Sequence, residues 1–153
     1  MGWQNQVHGP SIQGALETAL LRLGAPPVSV IGAGRTDAGV HATGQVAHFD
    51  TNHPRPAAVY VRALNASTPS GLSILTAEEV SETFHARLSA TYREYRYRIL
   101  TRKVAPTLDC KRVWHYPKLL DLVAMQEAGA ILLGTHDFSA FRASSCQSTH
   151  PIR

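Results

Sequence analysis

The 153-residue sequence has few cysteines and no long apolar run. Its two cysteines, Cys110 and Cys146, are too distant for a CxxC motif and too few for a disulfide framework. Both are therefore expected to be free thiols in a reducing compartment. No apolar run approaches the roughly 20 residues of a membrane helix, and the first residues lack the charged and apolar pattern of a signal peptide. These absences predict a cytoplasmic protein with no membrane partner.

Acidic residues are also scarce relative to basic ones. There are 11 acidic and 15 basic residues, which gives a net charge of +4. By count along the sequence, 12 of the 15 basic residues are arginine, whose guanidinium group matches phosphate oxygens and stacks on bases. Charged residues make up 17% and hydrophobic residues 44%, whereas disordered chains have few hydrophobic and many charged residues, so a disordered protein is excluded. The composition predicts a packed globular protein and favours a phosphate-rich partner, although many basic proteins bind no nucleic acid.

Apolar residues at helical spacing predict three helices, and local signals mark their ends. Ser11 is a suitable N-cap for the first helix, and Gly24 follows its last apolar residue. Pro56 suits the first turn of the second helix, and Gly134 ends the third. The predicted helices cover residues 11–23, 56–64 and 119–133.

Short runs of apolar, β-branched and aromatic residues predict four strands. These strands cover residues 28–31, 46–49, 72–76 and 91–100. Along the last strand, the two-residue period of β structure puts Arg93 and Tyr95 on one face. The segment 32–45 contains four glycines and no apolar periodicity, so it is predicted to be a loop, where proteins often place reactive side chains.

This glycine-rich loop does not fit the nucleotide-binding patterns. A dinucleotide fingerprint needs glycine at the position of Asp37, and a P-loop needs a Gly-Lys-Ser or Gly-Lys-Thr ending that is absent. Arg35 stands two residues before Asp37, close enough to orient the carboxylate and keep it ionised. A turn-forming role for Asp37, just before Gly39, explains the same residues, and spacing alone favours that interpretation over catalysis.

Residues 35–49, RTDAGVHATGQVAHF, resemble almost residue for residue the signature of the TruA-type family of tRNA pseudouridine synthases. Further segments resemble the family in the same order: GWQ at 2–4, ALN at 63–65, FHARLSATYREYRYRIL at 84–100, GTHDFSAFR at 134–142 and CQSTHPIR at 146–153. The resemblance covers nearly the whole chain. It implies a cofactor-free isomerase that converts uridine to pseudouridine on the 3′ side of the tRNA anticodon stem-loop. It also implies Asp37 as the nucleophile, Arg35 as the group that holds this carboxylate and fills the space of the flipped nucleotide, and Tyr95 as the contact to the target base.

The same resemblance implies an α+β fold of the pseudouridine synthase type, with a mixed or antiparallel sheet, flanking helices and ferredoxin- or RRM-like halves. It places an N-terminal catalytic-loop domain at residues 1–85 and part of a C-terminal domain at 86–153. Family members carry a strand before the GWQ segment, and further strands and a helix after CQSTHPIR, so an incomplete fold is expected. The implied partner is tRNA, and the intact form is expected to be a homodimer.

The implied chemistry agrees with the residue types present. A uridine must leave its stack before its glycosidic bond is accessible, which requires a pocket with an aromatic or apolar wall such as Tyr95. One carboxylate suffices as nucleophile because the leaving base is retained and rejoined, whereas glycoside hydrolases need a pair. Attack on the sugar and attack on the base ring both fit. A half-buried position on a strand explains Tyr95 equally well.

Basic residues are concentrated in one part of the sequence. Eight of the 15 lie between residues 87 and 112, interleaved with tyrosines, a composition that suits an RNA backbone. We predict RNA contacts for Arg87, Arg93 and Arg96, with weaker predictions for Asn65 and Arg142. A solvated strand face is the alternative for each arginine. No histidine pair stands at helical metal-ligand spacing, so no metal site is predicted.

Two other hypotheses stay open. The first is an inactive RNA-binding fragment of such an enzyme, which keeps the basic segment but lacks a complete pocket. The second and weaker one is a nonfunctional gene fragment. Binding without turnover would favour the first, and unfolded or insoluble protein would favour the second.

Overall fold

The computed structural model of the protein describes residues 1–6, 9–142 and 151–152. The described part is α+β, with three α-helices and two short sheets. The chain divides into two compact units, Met1–Arg96 and Tyr97–Arg153. The domain boundary after residue 85, implied by the family resemblance, stays a prediction.

The first helix, α1, covers Ile12–Arg22 and begins where the sequence predicts. Ser11 is the N-cap, and its side-chain oxygen accepts a hydrogen bond from the Gly14 N–H at 3.0 Å. The N–H groups of Ile12 and Gln13 donate to the backbone carbonyls of residues 2 and 3, both at 3.0 Å. The N-terminal segment therefore supplies partners for the first turn of α1.

Two strands after α1 form an antiparallel hairpin. Strand β1 is Ile31–Gly32 and strand β2 is Ala47–His48, with Ile31 opposite His48. Both lie within or next to the predicted segments, although each has only two residues. Beyond β1, the Ala33 N–H donates to the Val46 carbonyl at 2.8 Å. The hairpin thereby closes the base of the predicted glycine-rich loop.

The second helix, α2, covers Ala57–Ser67 directly after Pro56, as predicted, and extends three residues further. The strand predicted at residues 72–76 is wrong. In place of a neighbouring strand, the Asn65 side-chain amide accepts from the Ile74 N–H at 2.9 Å and donates to the Ile74 carbonyl at 2.8 Å. One side chain therefore satisfies both backbone groups that a strand would have paired.

The core of the first unit lies between α1, α2 and the hairpin. Leu72 and Ile74 pack against it even though they form no strand. The buried residues that form this core cluster are Trp3, Leu16, Ala19, Leu20, Val30 and Leu64. Burial of these side chains is the main stabilising term for this unit.

The second unit has short elements. Strand β3, Ile99–Leu100, pairs in parallel with β4, Trp114–His115, and helix α3 covers Leu122–Ala130 with Asp121 as its N-cap. The strand predicted for residues 91–100 therefore forms only at its last two residues, and the helix predicted for residues 119–133 is shorter at both ends. A 3-10 helix follows at Ser139–Phe141. None of this unit's described residues is buried. In the whole described part of the chain, no helix has the length and apolar character to cross a bilayer.

Candidate active site

Asp37 begins a tight turn at the tip of the loop. The Val40 N–H donates to the Asp37 carbonyl at 3.1 Å, and Gly39 has φ +89°. A positive φ at the third of four residues is the pattern of a type II turn, which favours glycine there. The turn leaves the Asp37 side chain exposed. The two interpretations drawn from the sequence, turn former and reactive carboxylate, are therefore compatible.

The Asp37 turn borders an open cavity of about 290 Å³. Arg35 lines the same cavity and also a smaller one of about 140 Å³, which Arg87 borders as well. The structure thus brings three of the predicted site residues to two cavities around one loop. Besides Arg35 and Asp37, the larger cavity is lined by Gly2, Trp3, Gln4, Gln6, Gly9, Pro10, Thr36 and Ala38.

Gly2 packs closely against the backbone of this turn. A β-carbon added to Gly2 would lie 3.0 Å from the Thr36 carbonyl oxygen and 3.2 Å from the Ala38 nitrogen. The Trp3 N–H donates to the same Thr36 carbonyl at 2.9 Å. In the sequence, the GWQ segment carries no signal beyond its resemblance to the family, and in the structure its glycine and tryptophan help to hold the Asp37 turn.

Arg93 and Tyr95 approach the loop at Gly34. A β-carbon placed on Gly34 would lie 3.8 Å from the Arg93 Nε and 4.0 Å from the Tyr95 hydroxyl oxygen. The strand on which these two residues were predicted to share a face does not form here, and both reach Gly34 from an irregular segment. The Tyr95 side chain is 69% exposed, so its ring is open to a ligand and the half-buried position considered from the sequence is wrong.

The predicted RNA-contact residues occupy different settings. The Arg93 guanidinium donates to the carbonyls of Ala33 and Arg87. Arg96 forms an exposed ion pair with Glu94 at 3.0 Å, a type of pair that contributes about 0–1 kcal/mol and that a phosphate can displace. RNA contacts of Arg87, Arg93 and Arg96 stay predictions.

Asn65 lies on α2 in the first unit, and Arg142 belongs to the second unit. Both N–H groups of the Asn65 amide are used, on the Val61 carbonyl at 2.9 Å and the Ile74 carbonyl at 2.8 Å, so the structure supports a structural role and an RNA contact stays only a prediction. Arg142 is exposed in the second unit. There, hydrogen bonds from the Ser139 side chain and N–H lower the pKa of Asp137 below its usual value, and the charge of Arg142 adds to the effect.

His48 attaches the segment with Arg87 to the hairpin, a role that sequence reasoning missed. Its Nδ1 accepts from the Ala86 N–H at 3.2 Å, and its ring lies 4.8 Å from that of His85. A histidine on a short strand carries no local signal for a partner 38 residues away.

Within residues 1–6, 9–142 and 151–152, no three histidine, cysteine or acidic side chains cluster as metal ligands would. The Cys110 thiol is free and exposed, and Cys146 lies outside the described residues.

Comparison with known proteins identifies the family of this chain. The model of a family described as tRNA pseudouridine synthase matches residues 2–88. The tRNA pseudouridine synthase A of Rhodospirillum rubrum is 50% identical over 99% of this chain and 55% of its own length. The corresponding proteins of Dechloromonas aromatica and Sinorhizobium medicae are 52% and 49% identical, with 58% and 63% of their lengths covered. This chain spans a little over half the length of these relatives. It belongs to the tRNA pseudouridine synthase family.

Proposed function

We propose that this chain carries the catalytic loop of a tRNA pseudouridine synthase, which converts uridine to pseudouridine on the 3′ side of the anticodon stem-loop. The observation that carries the proposal is the exposed Asp37 carboxylate, held by a tight turn at the rim of an open cavity of about 290 Å³ beside Arg35. A carboxylate so placed is accessible to a substrate as large as a nucleotide. The relatives' names support the reaction and the substrate class.

The proposed reaction needs only one nucleophile. The Asp37 carboxylate attacks the nucleotide, at C1′ or on the base ring, and the bond between N1 and C1′ breaks. The base stays bound, turns, and forms a bond from C5 to C1′, and the bond between Asp37 and the nucleotide breaks, which restores the free carboxylate. C5 then loses its proton and N1 gains one, so the product is an isomer of the substrate. The proposed reaction consumes no water, oxidant or cofactor.

Access to the glycosidic bond requires a flipped nucleotide. The ring of Tyr95, exposed beside Gly34, offers an aromatic surface for the extruded base. Arg35, exposed on the same loop, would hold the Asp37 carboxylate and fill the space that the nucleotide leaves. These roles are proposals that follow from the family resemblance and the exposure of the three side chains.

The fold, partner and location belong to the same proposal. The α+β chain would form part of a pseudouridine synthase fold with ferredoxin- or RRM-like halves, and the intact protein would act as a cytoplasmic homodimer without a cofactor. Its tRNA would contact the basic segment that includes Arg87 and Arg96. An inactive RNA-binding fragment stays the alternative.

The test measures tritium release from tRNA labelled at C5 of uridine, because only a reaction that breaks the C5–H bond releases the label. It is performed on the 153-residue chain and on a completed protein, in which the flanking segments of the Rhodospirillum rubrum relative are added. We expect release by the completed protein, and a loss of roughly 10³-fold or more in Asp37→Asn. The matched control is Asp50→Asn, which changes an exposed carboxylate of the same unit outside the cavity.

Three outcomes are informative. If the Asp37→Asn variant of the completed protein released tritium as fast as the unsubstituted completed protein, Asp37 would be removed from the mechanism. A tRNA in which cytidines replace the uridines on the 3′ side of the anticodon stem-loop should release no label, and continued release would contradict the proposed position. Tight tRNA binding without any release by the completed protein would favour the RNA-binding alternative.

A further inference from the structure

Arg93 joins two backbone segments that are distant in sequence. Its Nε and Nη2 donate to the Ala33 carbonyl at 3.2 and 2.9 Å, and Nη2 also donates to the Arg87 carbonyl at 2.8 Å. Ala33 is the first residue after strand β1 and begins the catalytic loop. A single side chain therefore connects the base of the loop to the segment that contains Arg87.

The next carbonyl of the loop is held in a similar way. The Gln45 side-chain amide donates to the Gly34 carbonyl at 2.7 Å, and the Ala33 N–H donates to the Val46 carbonyl at 2.8 Å. Two successive carbonyls at the base of the loop thus accept hydrogen bonds from side chains. Asp37 lies three residues beyond the second of them.

Arg93 also stands two residues before Tyr95, whose hydroxyl approaches Gly34. The bonds of Arg93 to Ala33 and Arg87 therefore help to set where the tyrosine ring lies relative to the loop. Building on the function proposed above, we propose that Arg93 is a positioning residue, which holds the Asp37 loop against the segment of Tyr95, and is not a contact to tRNA phosphate. Gln45 is its partner in this role.

The donor geometry supports the assignment. A guanidinium group binds phosphate best with two parallel N–H groups. In Arg93 the Nε–H and the two Nη2–H groups already donate to carbonyls. A lysine could keep a single charge contact to phosphate, but its one ammonium group cannot reproduce this planar set of bonds.

The two roles predict different behaviour for substitutions in the completed protein. For a positioning residue, Arg93→Lys should lower kcat about 10- to 100-fold, since small misplacements of reacting groups cost that much. The Kd for tRNA and its dependence on salt should stay within about twofold of the parent values. For a phosphate contact, Arg93→Lys should keep kcat, and Arg93→Gln should weaken binding and reduce the salt slope by about 1.

Gln45→Met provides an independent second variant, because it removes the donor to Gly34 without changing charge and with similar volume. We expect it to lower kcat with unchanged Kd, as Arg93→Lys does. The matched control is Arg55→Lys, since the Arg55 guanidinium also donates to a backbone carbonyl, that of Leu23 at 3.1 Å, away from the loop. Its kcat should equal that of the parent protein, and thermal unfolding should show all variants folded at the assay temperature.

The outcomes separate this inference from the proposed function. If the completed protein releases no tritium, the proposed function fails. If it is active, Asp37→Asn is inactive, and both Arg93→Lys and Gln45→Met keep the parent kcat, the positioning role alone is overturned. If Arg93→Lys does not fold, the kcat of Gln45→Met alone tests the positioning role: a lowered kcat supports it, and the parent kcat overturns it.

Discussion

Gly32 lies against the indole ring of Trp3 and has no room for a side chain. A β-carbon added there would stand 2.4 Å from Cζ2 and 2.5 Å from Cε2 of the buried ring. Trp3 is only 5% exposed and belongs to the core. In the sequence, Gly32 was noted only as part of a glycine-rich loop. Its close approach to the ring depends on a tryptophan 29 positions earlier.

We predict that Gly32→Ala lowers the free energy of unfolding by about 1–3 kcal/mol, because the tryptophan ring must shift in a packed core. Urea denaturation of the chain measures this. Trp3→Phe provides the matched background, since its smaller ring leaves space for the added methyl group. In that background, Gly32→Ala should lower the free energy of unfolding by less. Equal costs of Gly32→Ala in both backgrounds would contradict the contact.

The loop between β1 and β2 depends on its turn as much as on its acidic residue. Gly39 has φ +89°, and Gly44 is in the same loop without such a value. A β-carbon would meet no atom within 4 Å at either glycine. The two positions therefore differ in backbone conformation but not in the space available.

We predict that Gly39→Ala strains the turn by about 1–2 kcal/mol, the cost of a left-handed conformation in a residue with a β-carbon. Relief of this strain would move Asp37, so tritium release by the completed protein should fall. Gly44→Ala is the matched control and should keep the parent rate. Equal rates for the two variants would show that the turn does not set the position of the carboxylate.

The two units differ in how they are stabilised, and the basic residues belong to both. The first unit has a buried core, whereas no described residue of the second is buried. The cluster of eight basic residues runs from residue 87 in the first unit to residue 112 in the second. With a net charge of +4, the chain as a whole is expected to attract tRNA by phosphate contacts.

We predict that the logarithm of the tRNA affinity of the completed protein falls linearly with the logarithm of salt concentration, as counterions are released. Arg96→Gln should reduce that slope by about 1, because its ion pair with Glu94 is exposed and easily exchanged for a phosphate. Arg62→Gln removes an exposed arginine on α2, outside the basic cluster, and should leave the slope unchanged. A slope that neither substitution alters would remove Arg96 from the RNA contacts.

Local signals in the sequence were sufficient for the helices and for the loop that carries Asp37. Caps and apolar spacing act within four residues, so α1 and α2 lie where they were predicted. A positive φ favours a glycine at the position concerned, which is why the Asp37 turn could be anticipated from Gly39. The signature of residues 35–49 indicated the family, and the comparisons confirm it.

Only the tertiary structure decided which distant groups meet. The strand predicted at residues 72–76 failed because the Asn65 side chain bonds both backbone groups of Ile74. Within residues 91–98, Arg93, Glu94, Arg96 and Arg98 bond through their side chains. The pairings of Arg93 with Ala33 and of His48 with Ala86 span 60 and 38 residues. Strand propensity and charge are properties of single positions, whereas a hydrogen bond across such distances depends on the packing of the whole unit. The sequence alone therefore determined the helices, the loop and its carboxylate, and the packing decided what holds that loop in place.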